Sequence, residues 1–294
     1  MKIKNIYFYL LLILLVSSCT TKPVIPPQDA DPLAILPDSD DFYLLARPSE
    51  HPELSYEILR DLIPVEPSEI YPALERTRNT VISASFGQPL EFSGKMEGDY
   101  PAFFVRRSLR KSPDWDKSEE KSYKGPNDIL ADTLYKNTLL AASAAPRLDD
   151  LQEASLVYPA EKRVLNRQDR EWWESGTAAL MFYLPNLALL PLPEGMPVVP
   201  EGSSLLVSML PLEDGRYSLS GEFRFSDSRA TRFWALGLRV FLAGRLGLSE
   251  SEEERQAMGE LSLKTSDSMI SLSNWNMSAR SWGYFISTFK RNEY

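Results

Sequence analysis

The chain carries one histidine and one cysteine. That excludes a disulfide framework within the chain, a Cys/His zinc site and any catalysis needing both residues. His51 lies between Glu50 and Pro52 at the start of a predicted helix, where a histidine is expected as an exposed cap residue and not as half of a Ser–His pair. There is no glycine-rich phosphate loop, no G-x-S-x-G and no H-E-x-x-H. Ser118-Glu119-Glu120-Lys121 fits S-x-x-K, and Lys264-Thr265-Ser266 approaches K-T-G. In serine acyl-enzymes those pieces supply a nucleophile, its base and a neighbouring strand. Here Ser118 stands in a charged stretch instead of opening an apolar helix, which predicts a solvated loop.

Paired carboxylates hydrolyse glycosides without histidine or cysteine. Asp40-Asp41, Glu119-Glu120, Asp149-Asp150 and Glu252 to Glu254 supply pairs, but a surface drawn from 41 acids produces such pairs by chance. No EF-hand spacing occurs. The expectation is therefore no catalytic, cofactor-binding or metal-ligating residue, with a carboxylate-dependent glycoside hydrolase as the enzymatic alternative.

Two clusters suit binding. Trp172-Trp173, beside Arg170, Glu171 and Glu174, can form a stacking platform for a protein partner or a glycan. Arg106, Arg107, Arg110 and Lys111 gather on a predicted helix, where they face solvent, anionic lipid or an acidic partner. The net charge of −9 argues against nucleic acid as the main partner.

The elements that must position these residues follow from hydropathy period and turn chemistry. Strands are predicted at Phe42 to Leu45, Thr80 to Phe86, Leu90 to Met96, within Ile129 to Ala142, and at Thr177 to Leu184. Leu205 to Leu210 and Tyr217 to Phe225 flank Asp214-Gly215, a hairpin signal, and residues 260–274 add two short strands. Helices are predicted over Pro52 to Leu62, residues 68–78, Tyr100 to Arg110, Arg147 to Ala154, and from Asp227, as cap, to about Leu246. A last helix places Trp282, Phe285, Ile286 and Phe289 on one face. Residues 111–128 and 155–175 read as charged connections.

Ser93-Gly94 and Ser220-Gly221 stand 127 residues apart, about half the length of the body from residue 42 to 294. Val81-Ile82-Ser83 resembles Leu206-Val207-Ser208, and Phe42-Tyr43-Leu44 matches Phe182-Tyr183-Leu184. The fold class predicted is α+β, antiparallel sheets with packed helices, in two similar halves at 42–160 and 176–294.

The amino terminus reads as an address. Lys2 and Lys4 precede an apolar run from Ile6 to Val16, too short to span a bilayer but suited to a signal peptide. The run closes on Val16-Ser17-Ser18-Cys19. This segment resembles the lipobox of bacterial lipoproteins, with Val16 where leucine is usual, and the permissive form is similar to that of spirochaetes. The resemblance implies removal of residues 1–18 and acylation of Cys19, the lipid-attachment residue. Several acyl chains make anchoring stable. Thr20, in place of an aspartate, implies the outer membrane. Residues 19–41, rich in proline, read as a tether, with Leu33, Ile35 and Leu36 already packing on the body. The sequence thus predicts a membrane- and lipid-anchored envelope protein with a non-catalytic binding, scaffolding or assembly role and an envelope protein partner. A lipid or small-ligand carrier module is the alternative.

Overall fold

The computed structural model describes residues 31–60, 67–87, 89–99, 101–117, 122–135, 137–189, 198–248 and 251–284. Cys19, the Ser118–Lys121 stretch, and Phe285, Ile286 and Phe289 lie outside them.

Among the described residues twelve antiparallel strands form one sheet. They are β1 (Phe42–Ala46), β2 (Thr77–Ser85), β3 (Glu91–Gly98), β4 (Asp116–Lys117), β5 (Tyr123–Lys124), β6 (Leu130–Tyr135), β7 (Thr138–Ala142), β8 (Leu180–Leu184), β9 (Ser204–Pro211), β10 (Tyr217–Arg224), β11 (Ser262–Thr265) and β12 (Met269–Met277). Their spatial order is β11-β12-β10-β9-β8-β1-β2-β3-β7-β6-β5-β4. The α-helices are α1 (Pro52–Leu59), α2 (Pro67–Leu74), α3 (Ala102–Lys111), α4 (Ala145–Val157), α5 (Arg167–Glu174), α6 (Ser228–Leu248) and α7 (Glu252–Glu260). The α+β class is as predicted. Asp214-Gly215 makes the β9–β10 turn, with Gly215 at φ +80°, a value that glycine adopts without a Cβ penalty. The Asp227 carboxylate accepts the Arg229 N–H at 2.9 Å and caps α6.

The two halves repeat one strand order. From the centre outward the first runs β1-β2-β3-β7-β6 and the second β8-β9-β10-β12-β11. A single row crosses all twelve strands: Leu263, Leu272, Gly221, Val207, Phe182, Leu44, Ile82, Gly94, Ala141, Ala131, Tyr123 and Lys117. Gly94 and Gly221 occupy equal places in it, and Ser83 faces Ser93 as Ser208 faces Ser220. The Val81 and Leu206 triplets also correspond. The Phe42 triplet is displaced by two residues, because the ladder equates Leu44 with Phe182. Those two residues pair directly, so an axis normal to the sheet passes between them and carries one half onto the other.

Side chains alternate across a strand, so the sheet has two packed faces. On one, Tyr43, Leu45, Val81, Leu140 and Met181 meet Leu148 and Leu151 of α4, Trp173 of α5 and Leu33–Leu36. On the other, Leu184, Leu205 and Ile270 meet Trp234, Ala235 and Leu238 of α6. Leu272 and Met209 meet Leu242, Met258 of α7 and Trp282.

The end of the expected tether is core. The Asp31 carboxylate accepts the N–H groups of Leu33 at 2.9 Å and of Val164 and Leu165 at 2.7 Å. The Tyr158 hydroxyl donates to the Asp31 carbonyl at 2.6 Å, and burial beside Asp31 pushes that phenol up to about 12. Tyr43 donates to the Pro37 carbonyl at 2.6 Å. Leu33, Ile35 and Leu36 are buried as expected. The stretch 155–175 is not irregular throughout. Asn166 caps α5 by accepting the Asp169 N–H, and an eight-residue helix follows with Asp169 and Trp173 inward. Its polar majority hides this short apolar face from a period test.

Candidate functional site

The residues proposed from sequence separate into those used by the fold and those left at the surface. Trp172 and Trp173 do not form a side-by-side platform, since consecutive helical residues point in different directions. Trp173 is buried and Trp172 is half-buried against the same core. The Arg47 guanidinium lies 4.0 Å above the Trp173 ring. Trp275 and Trp282 are core, edge to face at 5.3 Å. Trp115 lies over Gly125, where a Cβ would meet its ring at 2.7 Å.

Several of the acids singled out from sequence are engaged in structure. Asp40 is buried and accepts from Ser83 at 2.5 Å and from both terminal nitrogens of Arg147 at 3.0 and 2.9 Å. Asp41 accepts the Phe86 N–H at 2.7 Å. Glu253 accepts the Ser278 N–H at 2.6 Å, which ties α7 to the start of the helical residues 279–284. Asp149 and Asp150 are exposed on α4. Among the described residues no group of three or more His, Cys, Asp or Glu is placed to hold a metal ion.

His51 is half-buried, a correction to the exposed cap expected for it. Its ring meets Tyr217 edge-on, with Nδ1 3.3 Å from the phenol oxygen. Burial lowers its pKa. The folded state therefore binds fewer protons than the unfolded chain, whose histidine titrates near pH ~6.5. The stability owed to neutral His51 is fully present above that value and is lost as pH falls from there through the folded pKa. Melting temperatures of the protein and of His51→Gln, measured from about pH 8 to about pH 5, should converge as pH falls. Parallel curves would show that this histidine does not contribute.

The surface cluster is cationic and apolar together. In α3 the basic residues expected from sequence, Arg106, Arg107, Arg110 and Lys111, are all exposed, and with Phe103 they line one open depression. Arg106 donates to the Thr133 carbonyl at 2.6 Å, which fixes the helix beside β6. Among the described residues no acid pairs with Arg107, Arg110 or Lys111. Helix α6 holds the corresponding place in the second half. Its inner stripe is Trp234, Ala235, Leu238 and Leu242. Its outer stripe is Phe233, Leu236 and Val240, which are 66%, 60% and 66% exposed. Arg229, Arg232 and Arg239 flank that stripe, and all are exposed. A helix on a water-facing surface carries polar residues outward, so an outer apolar stripe is the exception here. Composition sharpens it. The 10 residues of α3 and 21 of α6 contain eight cations and not one acid. At the chain's average of 41 acids in 294 residues, about four would fall there. Among the described residues no helix is long and apolar enough to cross a membrane.

A similar fold is found in a solved structure. The fold is similar to that of TP0453. That protein, from the spirochaete Treponema pallidum, superimposes in its crystal form I with a TM-score of 0.63 at 16% identity, over 89% of this chain and 99% of that one. Crystal form IV of TP0453 gives a TM-score of 0.61 at 15% identity, over 88% of this chain and 97% of that one. At this identity the likeness to TP0453 shows the fold and its full extent. No protein-family model and no curated protein matches the sequence.

Proposed function

We propose that this chain is a lipid-anchored protein of the bacterial envelope with a non-catalytic role, whose body docks on an anionic membrane surface through α3 and α6. The observation that carries the reading is the outward stripe of Phe233, Leu236 and Val240 between arginines, on helices without a single acid. Apolar side chains enter the headgroup boundary while lysine and arginine meet lipid phosphates. The axis normal to the sheet places the helix that follows β3 and the helix that follows β10 on the same side, so one bilayer meets both. The leash agrees. Asp31 is held in the core, and twelve residue steps separate it from Cys19. At about 3.4 Å per step the body stays within roughly 40 Å of the lipid. Fold likeness to a spirochaete protein accords with the permissive lipobox. A second reading, a carrier of small ligands, draws on the cavity considered next.

Docking is tested with the unacylated chain from residue 20 onward. It should co-sediment with vesicles containing phosphatidylglycerol, less so with pure phosphatidylcholine, and less again at high salt, because screening shortens the reach of exposed charges. Equal recovery with both vesicle types would reject charge-directed docking. Anchoring is tested separately by Cys19→Ala in the full chain. Release of an unacylated protein from membranes is expected, and unchanged acylation would reject the lipid site.

A further inference from the structure

A cavity of about 290 Å³ opens on the sheet face opposite α6. Its floor is Val81 and Lys95 on adjacent strands, and Arg47 lies just past the end of β1. Ile35 of the leash and Trp173 of α5 form walls.

Arg47 is the unusual group in it. Only 8% of the residue is exposed. One terminal nitrogen donates to the Trp173 carbonyl at 2.5 Å and the other to the Ala178 carbonyl at 2.8 Å. A guanidinium has five N–H donors, so among the described residues three are left without an acceptor. Among the described residues no carboxylate forms an ion pair with it, and Glu50 acts on it only from longer range. The two carbonyls, one at the carboxyl end of α5, return only partial charge. Burial shows in a lowered Arg47 pKa. Two other sheltered arginines of this protein are treated differently. Arg147 is gripped by Asp40 and Glu91, and Arg224 by Asp169 and Glu222. A sheltered guanidinium facing a cavity without its carboxylate is a site built for one from outside, since buried charge is otherwise costly.

We infer that this cavity binds a small organic carboxylate, its acid group on Arg47 and its apolar body against Ile35, Val81 and Trp173. Lys95, held by Glu97 at 2.5 Å, adds a donor beside the acid without adding net charge. Glu174 stands at the wall in an exposed position, where water screens it. The volume suits a ligand on the order of ten non-hydrogen atoms. Because the site faces away from α6, ligand and membrane do not compete for surface.

The test uses the unacylated chain from residue 20 onward, by titration calorimetry and tryptophan fluorescence, with 3-phenylpropanoate, 3-phenylpropanamide, acetate and inorganic phosphate. The acid should bind with quenching of Trp173, at least about tenfold more tightly than the amide, which keeps the shape and loses the charge. Acetate, lacking the apolar body, should bind more weakly than phenylpropanoate. Arg47→Gln should lose the preference for acid over amide. If that variant does not fold, Lys95→Met should weaken the acid alone, and the acid-to-amide ratio of the unaltered protein decides in any case. Equal binding of acid and amide, phosphate binding as tightly as phenylpropanoate, or no binding of any probe at millimolar concentration would overturn the inference.

Discussion

Replacing both Phe233 and Leu236 by glutamate should release the unacylated body from phosphatidylglycerol vesicles, lowering its partition at least about a hundredfold. The estimate rests on two additive effects. Each of these side chains gains on the order of 1.5 kcal/mol on leaving water for the headgroup boundary, at the low end of the range for a large apolar group. Each added carboxylate also loses attraction worth about 1 kcal/mol near an anionic surface. The sum exceeds the roughly 2.7 kcal/mol that a hundredfold change requires. Both positions point outward, at 66% and 60% exposure, so the melting temperature should be unchanged. That separates docking from folding. A control pair on the polar side, Asp149→Asn with Asp150→Asn, should leave the partition as it was. Retained partition of the Phe233/Leu236 variant with an intact fold would remove α6 from the membrane interface.

Asp40→Ala should unfold the protein more readily by about 3–5 kcal/mol, the range for removing one partner of a buried ion pair. The Asp40 side chain is fully buried, and it accepts from Ser83 and from both terminal nitrogens of Arg147. Removing it leaves a sheltered guanidinium held only by Glu91, whose side chain is 49% exposed. The same change also leaves the Ser83 hydroxyl without its carboxylate partner, on a strand position paired with Tyr43 and Ser93. Denaturant titration reads the loss, and Arg147→Met, which removes the charge while keeping a long apolar stem, should cost less than Asp40→Ala. Equal or smaller loss for Asp40→Ala would mean that the pair carries no stability beyond its packing.

Much of this fold was legible because its signals are local. The β-rich composition of Thr80 to Phe86, closed by Gly87, predicts a strand wherever it lies, and β2 begins only three residues earlier. Asp214-Gly215 encodes its own turn, and Asp227 encodes its own cap. The repeat was legible too, since Ser93-Gly94 and Ser220-Gly221 hold equal places in equal halves and carry the same pair of small residues into the same ladder positions. The basic face of α3 followed from helical spacing. Helix α5 did not, because eight mostly charged residues give no period and its reason to form is burial of Trp173 under Arg47.

The sequence alone determined where most of the longer strands and helices lie and that the two halves are alike, because propensity, capping and turn conformation act over a few residues; the short β4, β5 and α5 did not follow from it. Only the tertiary structure decided that β1 and β8 join the halves into one sheet, since hydrogen-bonding edges do not name their partners in sequence. It decided that Asp31 reaches Val164 and Leu165, and that Arg47 meets Trp173 with no carboxylate beside it. It also decided that Phe233, Leu236 and Val240 face outward while Trp234 and Leu238 face the sheet. Both stripes of α6 are apolar, so the choice between them lies in which one matches the row of Leu184, Leu205 and Ile270 across the sheet. Contacts of this kind join residues as far as 134 positions apart, and only closure of the chain brings them within reach.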